Sequence, residues 1–306
     1  MCTDCGCSIT DGNRHLLSKD HGHHSYRHHK HQHGHDHGHG HDHDHNHEHG
    51  SASHSSAALN SLMQHNDHHA RENRNRFDQH GVLVINLMSS PGSGKTSLLE
   101  ATIRALNGSL RIAVIEGDLE TENDADRIRA LGVQAHQITT GTACHLDAHL
   151  IEQSLTHLEL ANLDILFIEN VGNLVCPASF DLGHHRNVIL LSVTEGDDKP
   201  AKYPVMFRAA DLMLLSKTDL LPHLPEFSPQ MAEQSLRNLA SQAPIMHVSA
   251  RVSSSIDAWI NWLRSTREEY RQRLDSGSTM TPAQDTDAHR TLRVVAPEVH
   301  FSTQPR

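Results

Sequence analysis

The 306-residue chain is poor in aromatic side chains, with 2 Trp, 3 Tyr and 6 Phe, and it holds five cysteines. No apolar run approaches the roughly 20 residues that span a bilayer, and the first residues lack the apolar core of a secretory signal. A membrane partner is therefore not expected, and a cytoplasmic location is. There is no block of basic residues suited to a phosphodiester backbone; Arg27 and Lys30 stand alone in their segment. Nucleic acid is accordingly excluded as an expected partner. The cysteines are Cys2, Cys5, Cys7, Cys144 and Cys176. Their odd number and the crowding of three into seven residues argue against a disulfide framework. Thiolate metal ligands in a reducing compartment fit better.

Histidine is abundant: 31 in the chain, 21 of them in the first 80 residues. Residues 33–50, "HGHDHGHGHDHDHNHEHG", place one at every second position. So little apolar surface cannot offset the entropy of ordering, and residues 1–56 read as a disordered metal-binding arm. The formal net charge of −11 counts each histidine as neutral, so the balance depends strongly on pH. Alternating imidazoles bind several divalent ions loosely, which points to storage or buffering of metal.

A polar helix is expected over the linking segment 57–80, with Leu59, Leu62 and Met63 in helical spacing. Residues 81–275 then alternate strand and helix. Strands are expected at 81–88, 111–117, 133–139, 163–170, 187–193, within 209–220 and at 243–250. Helices are expected at 95–106, 122–132, 146–158 and 256–274. This order predicts an α/β P-loop NTPase fold, a mainly parallel sheet covered by helices on both faces. Residues 276–306, polar and without a period, read as a disordered tail.

"SSPGSGKT" (89–96) follows an expected strand and opens a helix. Gly92 and Gly94 let the backbone of Gly92, Ser93, Gly94, Lys95, Thr96 and Ser97 aim N–H groups at one point, where the helix dipole favours phosphate. Lys95 would reach the β- and γ-phosphates and Thr96 would ligate Mg²⁺. Ser89 stands where the usual first glycine would be. "SKTD" (216–219) resembles the Asn-Lys-x-Asp loop that reads guanine. Asp219 could accept from the ring N–H and the amino group, and Lys217 would cover the base. Ser216 replaces the asparagine, an exchange expected to loosen the loop. Ser249 and Ala250 follow in "HVSAR", with the Ala250 N–H placed for the guanine carbonyl. GTP is thus preferred to ATP.

Three sets of residues suggest metal. Cys2, Cys5 and Cys7 can converge around Gly6 on one ion; a planar set with nitrogen donors would suit Ni²⁺ and a tetrahedral one Zn²⁺. Cys144 and His145 lie just past one expected strand and Cys176 past another, on the sheet edge that carries the phosphate loop. Three ligands leave that site open or completed by a second subunit. Thr96 is the Mg²⁺ candidate. "IENVG" places Glu169 and Gly172 as the acid and glycine of a γ-phosphate sensor, four residues before Cys176, so a switch moving on hydrolysis would drag a metal ligand. Asp118 is a further catalytic candidate beside Lys95 and Glu169, with Asp124 and Asp126 behind it. No arginine finger or catalytic glutamine is identifiable, which predicts slow turnover.

The N-terminal Cys-x-x-Cys-Gly-Cys, the histidine arm, "LVINLMSSPGSGKTSLLE", "GDLETENDADRIRALG", "TGTACHLDAHL", "IENVGNLVCPASFDLG" and "SVTEGDDKPAKYPVMFRAADLMLLSKTDLLP" resemble the HypB family of hydrogenase nickel-incorporation GTPases, of the SIMIBI class of P-loop GTPases. The likeness spans about residues 59–264 and the N-terminal motif. It implies a GTPase using GTP, Mg²⁺, Ni²⁺ and Zn²⁺ that forms a homodimer on nucleotide and metal binding. It also implies delivery of nickel during [NiFe]-hydrogenase maturation, with a small zinc-containing partner and the hydrogenase large-subunit precursor. By resemblance, Cys2, Cys5 and Cys7 form a tight nickel site, and Cys144, His145 and Cys176 an interfacial nickel or zinc site. Lys199 and Lys202 would lie near the nucleotide or the dimer contact. Two other readings are a nickel store with a vestigial G domain and the related urease nickel GTPase; the latter lacks this cysteine triplet and "CPASFDLG".

Overall fold

A computed structural model describes residues 51–118, 122–141, 143–239 and 241–283, with side chains from residue 61 onward. The first helix, α1 (Ser51–His80), precedes β1 (Leu83–Ser89), α2 (Lys95–Leu106), β2 (Ile112–Asp118), α3 (Asn123–Arg129), β3 (Gln134–Thr139) and α4 (Ala148–Ser154). Then follow β4 (Ile165–Glu169), β5 (Arg186–Ser192), α5 (Lys199–Lys202), α6 (Pro204–Arg208), β6 (Leu212–Ser216), α7 (Pro229–Asn238), β7 (Ile245–His247) and α8 (Asp257–Asp275). Short 3₁₀ turns link several of these.

The seven strands form one sheet in the order β3-β2-β4-β1-β5-β6-β7, every neighbouring pair parallel. The expected P-loop α/β architecture is therefore what the chain adopts. Central strands are predominantly apolar because both faces are covered. Along β1, Leu83, Ile85 and Leu87 pack with Phe167, Leu99 and Trp259 on one face, while Val84 joins Phe77, Ile115 and Ile151 on the other. Trp259 fixes α8 to α2 by donating its Nε1–H to Thr102 Oγ1 at 2.8 Å. A third cluster, around Ile189, Leu191, Met213, Leu215 and Phe207, lies under β5 and β6. Because the strands run parallel, the loops after β1, β2, β3, β4, β6 and β7 share one edge.

Several boundaries differ from expectation. Helix α1 begins at Ser51, six residues before the expected arm boundary, because "SASHSSAALN" contains no Gly or Pro to stop it. Its later turns dock on the domain: buried Phe77 enters the core and Arg74 pairs with Asp181 at 2.8 Å. A Cβ on Gly183 would lie 2.6 Å from the Ala70 carbonyl, so glycine permits the approach. The expected tail does not begin at 276. Met280 is buried, Thr279 Oγ1 donates to Asp78 Oδ1 at 2.9 Å, and the Ala283 N–H donates to Asp211 Oδ1 at 3.2 Å. One methionine and two carboxylates thus hold residues that carry no periodic signal. Strand β6 ends at Ser216 and α4 at Ser154, both shorter than the apolar pattern suggested. Helix α7 was not anticipated; Ser228 caps it by accepting from the Met231 N–H at 3.3 Å. The histidine arm up to residue 50 and the tail from residue 284 lie outside the described residues.

Candidate functional site

Two adjoining cavities open on the shared strand edge. The first, about 490 Å³, is lined by Gly92, Gly94, Lys95, Thr96, Glu116, Asp118, Glu169 and Gly172, among others. The second, about 420 Å³, is lined by Ser93, Ser97, Lys217, Asp219, Ser249 and Ala250. Gly94, Ser97 and Lys217 border both, so one elongated ligand would span them. Every nucleotide residue anticipated from the motifs lines one or the other.

At the phosphate end, Gly92 and Gly94 take positive φ of 71° and 99°, the turn a side chain would strain. The Lys95 ammonium is buried, donates to Ser89 Oγ at 3.1 Å and lies 3.9 Å from Glu169 Oε1. Ser89, where a glycine is usual, thus parks the lysine. Thr96 Oγ1 donates to the same Glu169 Oε1 at 2.9 Å. Across the β2–β4 ladder, Glu116 stands opposite Glu169 in register, both buried. Burial first, and the neighbouring Glu169 carboxylate second, push the Glu116 pKa well up. Burial also raises Glu169, with Lys95 opposing. Glu169 Oε2 and Glu116 Oε1 are buried with no hydrogen-bond partner. Such orphaned oxygens beside a threonine hydroxyl fit a hard divalent cation such as Mg²⁺.

Sequence reasoning missed Glu116, which sits inside an otherwise apolar strand just before the segment that carries Asp118; the pairing of β2 with β4 reveals it. Arg127, on α3, was also missed. It lines the phosphate cavity and is held by Asp124 at 2.7 Å and Glu100 at 3.0 Å. Asp118 lines the cavity as anticipated, and so does Asp124, whereas Asp126 instead pairs with Arg129 at 2.6 Å.

At the base end, Lys217 adopts left-handed φ of 57° and donates to the Gly92 carbonyl at 2.7 Å, so its stem lies along the phosphate loop. Asp219 Oδ1 accepts from Ser249 Oγ at 2.6 Å, which joins the two base loops. Ser216, expected to loosen this loop, makes an anchoring contact. Its buried hydroxyl donates to the Ser93 carbonyl at 2.7 Å and ties the end of β6 to the phosphate loop. Lys199 and Lys202 line neither cavity; Lys202 pairs with Asp198 at 2.6 Å and Lys199 lies over the Tyr203 ring.

The loops after β3 and β4 bring Cys144, His145 and Cys176 together, their ligand atoms all within 4.8 Å of one another. Cys144 Sγ lies 3.8 Å from His145 Nδ1. His145 is buried and stacks on Phe180 with ring centroids 3.9 Å apart. Burial lowers its pKa to about 4, which keeps the imidazole neutral and able to ligate. Two sulfurs and one imidazole suit a borderline or soft divalent ion. Cys2, Cys5 and Cys7 lie outside the described residues.

Asn170 connects this cluster to the nucleotide cavity. Its Oδ1 accepts from the N–H of Leu146, next to His145, at 3.3 Å and from Val171 N–H at 3.0 Å. Its Nδ2 donates to Asn86 Oδ1 on β1 at 3.2 Å. No helix among the described residues is long and apolar enough to cross a membrane.

A lysine-bearing phosphate loop at the end of β1 in a parallel sheet, with a Lys-x-Asp base loop after β6, defines a P-loop GTPase domain. The CobW/HypB/UreG nucleotide-binding domain family matches residues 83–247. The hydrogenase maturation factor HypB of Azotobacter vinelandii is 52% identical over 216 residues, covering 70% of this chain and 71% of that protein. HypB of Escherichia coli K12 is 42% identical over 291 residues, covering 87% of this chain and 99% of that protein. The crystal structure of Helicobacter pylori HypB in complex with nickel superposes with a TM-score of 0.64 at 45% identity, covering 67% of this chain and 95% of that one. The chain belongs to the HypB family of hydrogenase maturation factors.

Proposed function

We propose that this chain is a GTP-hydrolysing nickel metallochaperone that delivers Ni²⁺ during [NiFe]-hydrogenase maturation, hydrolysis gating transfer. Nickel is the cargo. The observation that carries the proposal is the Asn170 side chain, whose amide joins the γ-phosphate sensor segment to the backbone beside His145.

Thr96 and Glu169 would hold Mg²⁺, which would supply charge neutralisation at the transferring phosphate. Lys95 neutralises charge at the β- and γ-phosphates, and Asp118 orients water at the cavity rim. Asp219 selects guanine, with Lys217 covering the base. Loss of the γ-phosphate releases the segment around Gly172, and the displacement passes through Asn170 and along the loop to Cys176. The metal site then changes geometry and gives up its ion. With no glutamine among the described residues that line the cavities, turnover without a partner is slow.

The three ligands of one chain leave room for those of a second copy, so dimerisation on nucleotide and metal binding completes the site. Zn²⁺ is the alternative occupant of Cys144, His145 and Cys176. Cys2, Cys5 and Cys7 form the tight nickel site, the histidine arm stores nickel, and the exchange partners are a small zinc-containing maturation protein and the hydrogenase large-subunit precursor in the cytoplasm.

The test is Ni²⁺ binding to the purified chain with and without a non-hydrolysable GTP analogue, in wild type and Cys176→Ala. Nucleotide-dependent affinity that disappears in the variant is expected. Unchanged affinity across nucleotide states overturns the gating. Lys95→Ala separates a switch from a store, because a switch loses maturation activity while a store keeps its nickel.

A further inference from the structure

A second cluster of ligand atoms lies away from the nucleotide rim, where α1 packs on α4. His69 Nδ1 is 2.7 Å from Glu152 Oε2, and His149 Nδ1 is 3.8 Å from the same oxygen. The ligand atoms of His69, His149 and Glu152 all lie within 4.8 Å of one another. Bonds of about 2.0–2.1 Å to a tetrahedral ion would set these atoms roughly 3.4 Å apart, between the 2.7 and 3.8 Å separations from Glu152 Oε2. Both imidazoles have an outer neighbour on the opposite ring nitrogen. His69 Nε2 lies 3.2 Å from His65 Nε2, and His149 Nε2 lies 3.0 Å from the Gln153 side-chain amide. Metal-bound histidines need such a partner to fix tautomer and ring orientation; for Gln153 this requires the amide rotamer that presents its oxygen.

The backbone under this cluster is held in place by buried polar contacts. Asn66 Oδ1 accepts from the Ala148 N–H at 2.9 Å, and Asn73 Nδ2 donates to the Ala148 carbonyl at 2.8 Å. Asn66 and Asn73 flank His69 by about one helical turn on either side, on the same face. They therefore fix the register of α1 against the first residue of α4, and with it the separation of His69 from His149 and Glu152. The three ligands remain partly open to solvent, at 14%, 25% and 36% side-chain exposure, which leaves an entry path.

We propose that His69, His149 and Glu152 form a second, thiolate-free site for a borderline divalent cation of the zinc, cobalt or nickel type. Two imidazoles and one carboxylate favour such ions over Mg²⁺, and three protein ligands leave a position for water or an exchanging donor. The site differs in kind from the sulfur-rich cluster, yet His149 lies only four residues beyond His145. An ion here would bridge α1 to α4, so binding stiffens both. None of this depends on nucleotide hydrolysis.

The test is hydrogen–deuterium exchange of the full-length chain, followed by mass spectrometry, in a Cys144→Ser/Cys176→Ser background that removes the thiolate cluster. Excess Zn²⁺ is expected to slow exchange several-fold in both α1 (residues 61–80) and α4, and Mg²⁺ is not. His149→Gln and Glu152→Gln should each abolish the zinc effect. Only variants whose zinc-free exchange matches the parent are compared, and His69→Gln replaces any that does not. The proposal is overturned if zinc leaves α1 exchange unchanged in the parent, if the effect survives in the variants, or if Mg²⁺ reproduces it.

Discussion

Gly172 lies so close to Pro91 that a Cβ on the glycine would sit 2.8 Å from the proline Cα. Backbone therefore meets backbone where the phosphate loop touches the segment after β4, and no flexible side chain is available to give way. Gly172→Ala should push these segments apart without unfolding the sheet. Nucleotide affinity is expected to fall about tenfold or more, the size of effect that roughly 1.4 kcal/mol produces. Titration with a fluorescent GTP analogue, alongside circular dichroism, measures both; native affinity in the variant would show that the contact is dispensable.

Asn170 is buried and uses both ends of its amide. Asn170→Ala leaves the Leu146 N–H and Asn86 Oδ1 without these partners, a loss of about 1–3 kcal/mol. The diagnostic result is functional: nickel affinity of Asn170→Ala should cease to respond to the GTP analogue, while its affinity without nucleotide stays near wild type.

Glu116 and Glu169 face each other, yet their replacements should behave differently. Burial, and the carboxylate beside it, favour the protonated form of Glu116, so Glu116→Gln is the conservative exchange of the two. Unfolding stability without nucleotide should change by less than about 1 kcal/mol. Glu169→Gln removes the carboxylate that Lys95 and Thr96 both approach. Magnesium-dependent GTP hydrolysis should drop about 100-fold or more. A phosphate-release assay separates the two, and equal losses would contradict the assignment of the cation to Glu169.

Asp164 supplies a pH signature. Burial would raise its pKa, but hydrogen bonds from the backbone and side chain of Arg111, together with Arg267, outweigh it and bring the value to about 2. The folded state thus prefers the ionised form more than the unfolded chain does. That stabilisation is complete above about pH 4–5 and disappears as pH falls through about 2; screening at the exposed Arg111 keeps it small, on the order of 1 kcal/mol. In urea unfolding, the gap between wild type and Asp164→Asn should be widest near pH 6 and shrink steadily below pH 4. A gap independent of pH would sink this account.

Local sequence settled much of the fold and pointed to much of the candidate site. Uninterrupted apolar runs bounded by helical stretches marked β1, β2, β4 and β5, because a strand covered on both faces carries its signal in consecutive residues. Gly92, Gly94, Lys95 and Thr96 were legible because phosphate binding needs contiguous backbone, and Lys217 with Asp219 because base recognition uses one short loop. Cys144, His145 and Cys176 were recognisable as donors, and the parallel order of the strands predicted their common edge.

Only the tertiary structure decided what depends on pairing between distant segments. Glu116 became a site residue through the register of β2 against β4, Asn170 a connector through its reach to Leu146 and Asn86, and Ser216 an anchor through the Ser93 carbonyl. Residues 276–283 gained order from Asp78, Asp211 and a buried pocket for Met280, none of them close in sequence. His69 met His149 and Glu152 only because two buried asparagines set one helix against another. Periodicity and motif record what neighbouring residues need, whereas contacts across some 20 to 200 positions arise from packing that no short window contains.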